Sequence, residues 1–149
     1  MLKLNLLVLS MVSCLGVLPA SAQDDVIGFV KTVQGEATVL TAKTIVKAQP
    51  GTPLYLGSVL KTGEEGSLGV TFKDNTVMSF GPDTEVTVDE YHYAPAKGDL
   101  KLVTSIAKGT LHYISGVIAK LKPEAVTVKT PTAIIGVRGT HFLVKAEAE

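Results

Sequence analysis

The chain has no tryptophan, one cysteine (Cys14) and 5% aromatic residues in 149, and neither charge sign is in excess, with 14 Lys+Arg against 14 Asp+Glu. Without a surplus of cations there is no phosphate-neutralising surface of the kind that nucleic-acid binding requires. A lone cysteine rules out an intrachain disulfide framework. Few aromatics, with four Tyr and four Phe, count against a stacking face for sugars or small ligands. What is abundant is apolar: 46% hydrophobic residues and a mean hydropathy of +0.32 exclude a disordered chain. The length suits one core rather than two.

Part of that apolar content has the form of an address. Lys3 precedes an apolar run from Leu4 to Leu18, then Pro19, and then Ala20-Ser21-Ala22 ahead of Gln23. A charged start, an apolar middle and small residues at the −3 and −1 positions, Ala20 and Ala22, predict a cleaved secretory signal over residues 1–22. The run is shorter than the about 20 residues that span a bilayer as a helix, and Asp24-Asp25 follow it. Met11-Val12-Ser13-Cys14 faintly resembles a lipobox, but Met suits its first position poorly and the Ala-x-Ala site is better formed, so a lipid anchor at Cys14 is not expected. Cleavage after Ala22 leaves residues 23–149 as the mature domain, periplasmic or secreted, with no transmembrane span, no cysteine and a formal charge of −1.

Val, Ile and Thr make up 39 of the 127 residues from Gln23 onward, and such β-branched side chains favour a pleated surface. Leu68, Val70 and Phe72 alternate, as do Val86 and Val88, Leu100 and Leu102, Val126 and Val128, and Phe142 and Val144, which is the period of half-buried strands. Turn signals separate them at Gln34-Gly35, Pro50-Gly51, Gly63–Gly66, Asp74-Asn75, Gly81-Pro82-Asp83 and Lys108-Gly109. Between Ser67 and Glu90 strand and turn recur about every nine residues. The fold class is all-β, and two arrangements fit: a solenoid-like stack of short rungs, or an antiparallel meander closing into a sandwich. Ile114, Val117, Ile118 and Leu121 follow helical spacing up to Pro123, which predicts one short connecting helix near 114–122.

No catalytic constellation is apparent. His92, His112 and His141 form no closely spaced pair of the zinc-binding type and read as strand residues, so no metal or other cofactor is expected. Asp24-Asp25, Glu64-Glu65 and Asp89-Glu90 are adjacent in sequence, which does not aim two carboxylates into one cleft. Nucleophile-elbow, phosphate-loop, HExxH and calcium-loop patterns are all missing, and the chain reads as a non-enzyme.

The densest unusual segment runs from Val128 to Val144. Gly136 and Gly139 within an apolar stretch suggest a bulge or a close backbone approach. Arg138 between them is a cation embedded in that stretch. Its guanidinium suits a carboxylate fork, and an internal pair with Asp89 or Glu85 that fixes strand register is the expected use.

Thr130-Pro131-Thr132-Ala133, then Val137-Arg138-Gly139-Thr140 and a closing Phe142-Leu143-Val144 strand, resemble the end of a FecR domain. Leu60-Lys61-Thr62-Gly63, Gly66-Ser67-Leu68, Phe72-Lys73-Asp74-Asn75-Thr76 and Lys108-Gly109-Thr110-Leu111 extend the resemblance in order, back to the Gly35-Glu36-Ala37 turn. It implies an extracytoplasmic all-β domain of solenoid-like rungs with a place in signalling. In the family's namesake regulators the domain lies in the periplasm below a ferric-chelate receptor and signals through a membrane helix to a sigma factor. Here only Met1-Leu2-Lys3 precede the apolar run and the chain stops at Glu149, so a free-standing copy is expected, without the sigma-regulating segment or the receptor-contacting domain. The expected function is non-catalytic binding of an envelope or secreted protein, with Pro131, Gly136, Arg138, Gly139 and Thr140 as candidate structural or interaction residues. The alternative is binding of a small molecule or polysaccharide along a strand face.

Overall fold

The alternating apolar residues do become strands. The computed structural model describes residues 25–148, so Cys14, Ala20, Ala22 and the signal segment lie outside the described residues. The strands are β1 (Gly28–Gln34), β2 (Ala37–Thr41), β3 (Thr44–Lys47), β4 (Pro53–Leu54), β5 (Val59–Thr62), β6 (Ser67–Phe72), β7 (Val77–Phe80), β8 (Glu85–Ala94), β9 (Asp99–Ile114), β10 (Val126–Lys129), β11 (Ile134–Gly136) and β12 (His141–Ala146). Leu68, Val70 and Phe72 of β6 and Val86 and Val88 of β8 are each at most 2% exposed, so the period of two places one face of each strand in the core.

The sheet runs in the order β3-β2-β5-β8-β9-β7-β6-β1-β4, and β10, β11 and β12 branch from it at β9. β9 is its spine. The first part of β9 pairs with β8 on one side and with β10 on the other, Thr104 facing Val88 and Val128. Its last part pairs with β7 and with β12, Leu111 facing Phe80 and Val144. One strand therefore serves both halves of a curled sheet, and the apolar faces of the two halves close on a common core.

Three expectations need correction. Among the described residues every ladder is antiparallel except β9–β10, whereas stacked rungs would pair in parallel at each step. The sheet is one curled open surface, not the expected solenoid-like stack. Lys108-Gly109 does not separate two strands. β9 runs through it, and Gly109, at φ +98°, makes the corner at which the strand passes from one half to the other. A turn and a corner require the same positive φ, so glycine marks both. The helix is also shorter than expected. Ile114 stays in β9, held between Val77 and His141, and α1 covers only Val117–Leu121, with Ile118 and Ala119 buried and Leu121 exposed.

Two polar clusters hold this frame, and both are built from segments of the FecR-like series. At the corner, the Thr62 hydroxyl donates to the Gly81 carbonyl at 2.6 Å and accepts from the Thr84 amide at 2.9 Å, and the Thr84 hydroxyl accepts from the Thr110 amide at 3.0 Å. At the far end, Asp74 lies fully buried in the β6–β7 turn. Its carboxylate accepts from the Thr76 amide and hydroxyl, the Tyr91 phenol and the Ile118 amide, and so caps the first turn of α1. Burial, and next the Asp74 charge, push the Tyr91 phenol well above its ordinary range, which keeps it protonated and donating.

One buried group is unsatisfied in a way that can be tested. The Thr104 hydroxyl is buried without a hydrogen-bond partner among the described residues, and both cross-strand neighbours of Thr104 are valines. Thr104→Val keeps the shape and removes the stranded hydroxyl, so it should stabilise the fold by about 1 kcal/mol. A urea titration checks this, and an unchanged or lowered midpoint would mean that the hydroxyl is satisfied in solution.

Candidate functional site

The segment from Val126 to Ala146 is assembled piece by piece. Val126 and Val128 of β10 are buried against Leu102 and Thr104 of β9, which anchors the segment. Thr130-Pro131-Thr132-Ala133 is the tight turn that follows. The Thr130 amide donates to the Ala133 carbonyl at 2.8 Å, and the Ala133 amide donates back to the Thr130 hydroxyl at 3.0 Å. Pro131 sits exposed within it and presets the backbone. The turn returns the chain as β11, which among the described residues pairs only with β10, Ile135 opposite Val128 and Ile134 opposite Lys129. Ile135 packs on the core, whereas Ile134 is 74% exposed on an otherwise unpaired edge.

Beyond Gly136 the chain crosses from one half of the sheet to the other. Val137 is buried and holds the crossing down, and the Ser115 hydroxyl and amide bind the carbonyls of Gly139 and Thr140 at 2.8 and 2.9 Å. The two glycines are not equivalent, and neither makes the bulge or close approach expected of them. Gly139 takes φ +116°, a conformation that side-chain-bearing residues avoid. Gly136 has no positive φ, and a Cβ there would meet nothing within 4 Å.

Arg138 is not embedded in a strand. It lies in the crossing link, exposed, and makes no ion pair among the described residues. The expected internal partners are engaged elsewhere: Glu85 pairs with Lys61 at 3.5 Å, and Asp89, pushed out at a bulge of β8, accepts from the Ser105 hydroxyl. The apolar run reads as one strand in sequence, but the crossing forces it open between Gly136 and His141, and the guanidinium leaves the sheet there. Arg138 and Val137 line an open cleft of about 620 Å3 together with Thr127, Pro123 and Glu124.

The remaining sequence candidates are dispersed. Glu90 pairs with Lys101 at 3.2 Å, apart from Asp89, so that carboxylate pair does not converge. His92, His112 and His141 fall on β8, β9 and β12, all strand positions as expected. Among the described aromatics only Phe29 is exposed, at 41%, and the others are buried or half-buried. In sequence Asp74-Asn75 reads as a plain turn, without its capping role. The available signal was an aspartate two residues before a threonine in a hairpin loop, the local pattern of a side chain that binds backbone amides.

Fold and site together define a small all-β module, with one spine strand and a signature segment on an open edge. A family model described as FecR protein matches residues 58–149, and the chain belongs to the FecR family. The match takes in β5 to β12 and begins downstream of the Gly35-Glu36-Ala37 turn from which the resemblance was traced. The family is linked to envelope signalling and is envelope-associated. Comparison with curated proteins and with solved structures returns no match. Among the described residues no helix is long and apolar enough to cross a membrane.

Proposed function

We propose that this protein is a non-catalytic, extracytoplasmic binding module that takes an extended segment of an envelope or secreted protein at its β11 edge. The observation that carries this reading is Arg138, exposed and without an ion pair among the described residues, lining a cleft beside a strand whose outer edge has no partner among those residues. The side chains of Thr62, Asp74, Thr76 and Thr130 of the same signature series are consumed by internal hydrogen bonds. Arg138 has no such use. A partner strand adding to β11 would satisfy its free main-chain groups, cover Ile134 and bring a carboxylate to the guanidinium fork. The signal-like residues 1–22 support export, and the chemistry requires no cofactor.

The test is recovery of envelope proteins on the immobilised protein, with Arg138→Ala and Ile134→Lys run in parallel. Both side chains are exposed, so each variant should melt within about 2 °C of the parent. The expected result is one envelope protein retained by the parent and lost by both variants. Equal recovery by all three would refute this use of the edge.

A further inference from the structure

The fold brings together two histidines that lie 29 positions apart in the chain, and neither is part of the β11 edge or the cleft. His112 on β9 stands opposite Leu143 of β12, and His141 stands opposite Ile114, so the two imidazoles are diagonal neighbours on the outer face of one antiparallel pair. Their ring centres are 6.2 Å apart and the planes meet at 80°. Both residues are exposed, and among the described residues His92 is the histidine that hydrogen-bonds, to Asp99 at 3.0 Å. The nitrogens of His112 and His141 are therefore open to a ligand.

Two imidazoles bound to one ion through nitrogens at about 2.0–2.1 Å hold their ring centres roughly 5–6 Å apart. At 6.2 Å the observed separation lies just outside that span, so the side-chain torsions must turn to bring one nitrogen of each ring onto the ion. We propose that His112 and His141 form a two-histidine chelate for a divalent cation of borderline softness, Cu2+ ahead of Ni2+ or Zn2+. Imidazole nitrogen suits these ions, and Cu2+ heads the affinity order for such donors. No third histidine, cysteine or carboxylate joins the pair among the described residues, so the site offers nothing to Mg2+ or Ca2+ and leaves the remaining coordination positions to solvent. The strand ladder fixes both Cα positions, and the ion clips β12 to β9.

Calorimetric titration of untagged protein carrying Cys14→Ser, so that no thiol competes, tests the site with Cu2+, Ni2+, Zn2+ and Mg2+ in turn. One Cu2+ should bind per chain, and Mg2+ should not bind. His112→Ala and His141→Ala should each weaken Cu2+ by at least about tenfold, since half of the protein donors are gone. Electron paramagnetic resonance of the Cu2+ form should show two imidazole nitrogens in the parent and one in either variant. His92→Ala should change neither readout. No saturable Cu2+ binding at millimolar ion, binding that survives both substitutions, or binding lost on His92→Ala would each overturn the proposal. Both rings are exposed, so thermal melts of the variants should match the parent.

Discussion

Gly109→Ala should cost the fold roughly 3 kcal/mol or more. Two causes add. Gly109 sits at φ +98°, where a Cβ is strained whatever the space around it. There is also no space: the added carbon would run into Thr84 Cα and lie 2.6 Å from Thr84 Cβ, and backbone cannot rotate away as a long side chain would. Moving Thr84 breaks its bonds to Thr62 and Thr110, so strain at the corner spreads into the cluster that fixes it. Without tryptophan to report by fluorescence, far-ultraviolet circular dichroism against urea is the suitable measurement. A loss below about 1 kcal/mol would mean that β9 does not run through this corner in solution.

Asp74→Ala is expected to follow closely, at about 3 kcal/mol. It strands four donors at once: the Thr76 amide and hydroxyl, the Tyr91 phenol and the Ile118 amide. Each buried donor left alone costs about 1–3 kcal/mol, and the sum is tempered by water entering the space the carboxylate leaves. Asp74→Asn should lose less, because its remaining oxygen still accepts while its amide nitrogen faces donors. The specific readout is hydrogen exchange. Amides of α1, above all Ile118, should lose protection in the alanine variant before those of β6 and β9 do. Uniform loss of protection would mean that Asp74 supports the whole sheet rather than the docking of α1.

The strands were legible because half-buried strands leave a period of two that is local: Leu68, Val70 and Phe72 declare their face without any knowledge of a partner. Pairing is not local. Nothing in Glu85–Ala94 announces that it joins β5 to β9 and leaves its chain neighbour β7 to the other half of the sheet. The glycines of the family-like segment were visible, but their uses were not. Gly109 and Gly139 answer to backbone angle, which a sequence reports only as glycine, and Gly136 answers to neither angle nor space. In sequence, the apolar surroundings of Arg138 mark it out and point to an internal partner. The surroundings misled, because an apolar run can be interrupted by a crossing that only the three-dimensional path requires. The histidine pair was illegible for the same reason, since its two members meet through the β9–β12 register alone.

The spine strand also bears on how the molecule comes apart. β9 supplies pairing edges to β8, β10, β7 and β12, and the remaining strands hang from those four. Neither half can release β9 while the other keeps it whole, because the corner at Gly109 joins them without a linker. Residues 25–148 should therefore unfold as one cooperative unit, with contacts dominated by distant pairings, the condition for slow, all-or-none folding. Until residues 99–114 are in place, the strands made before them can form only two separate four-stranded sheets, β3-β2-β5-β8 and β7-β6-β1-β4.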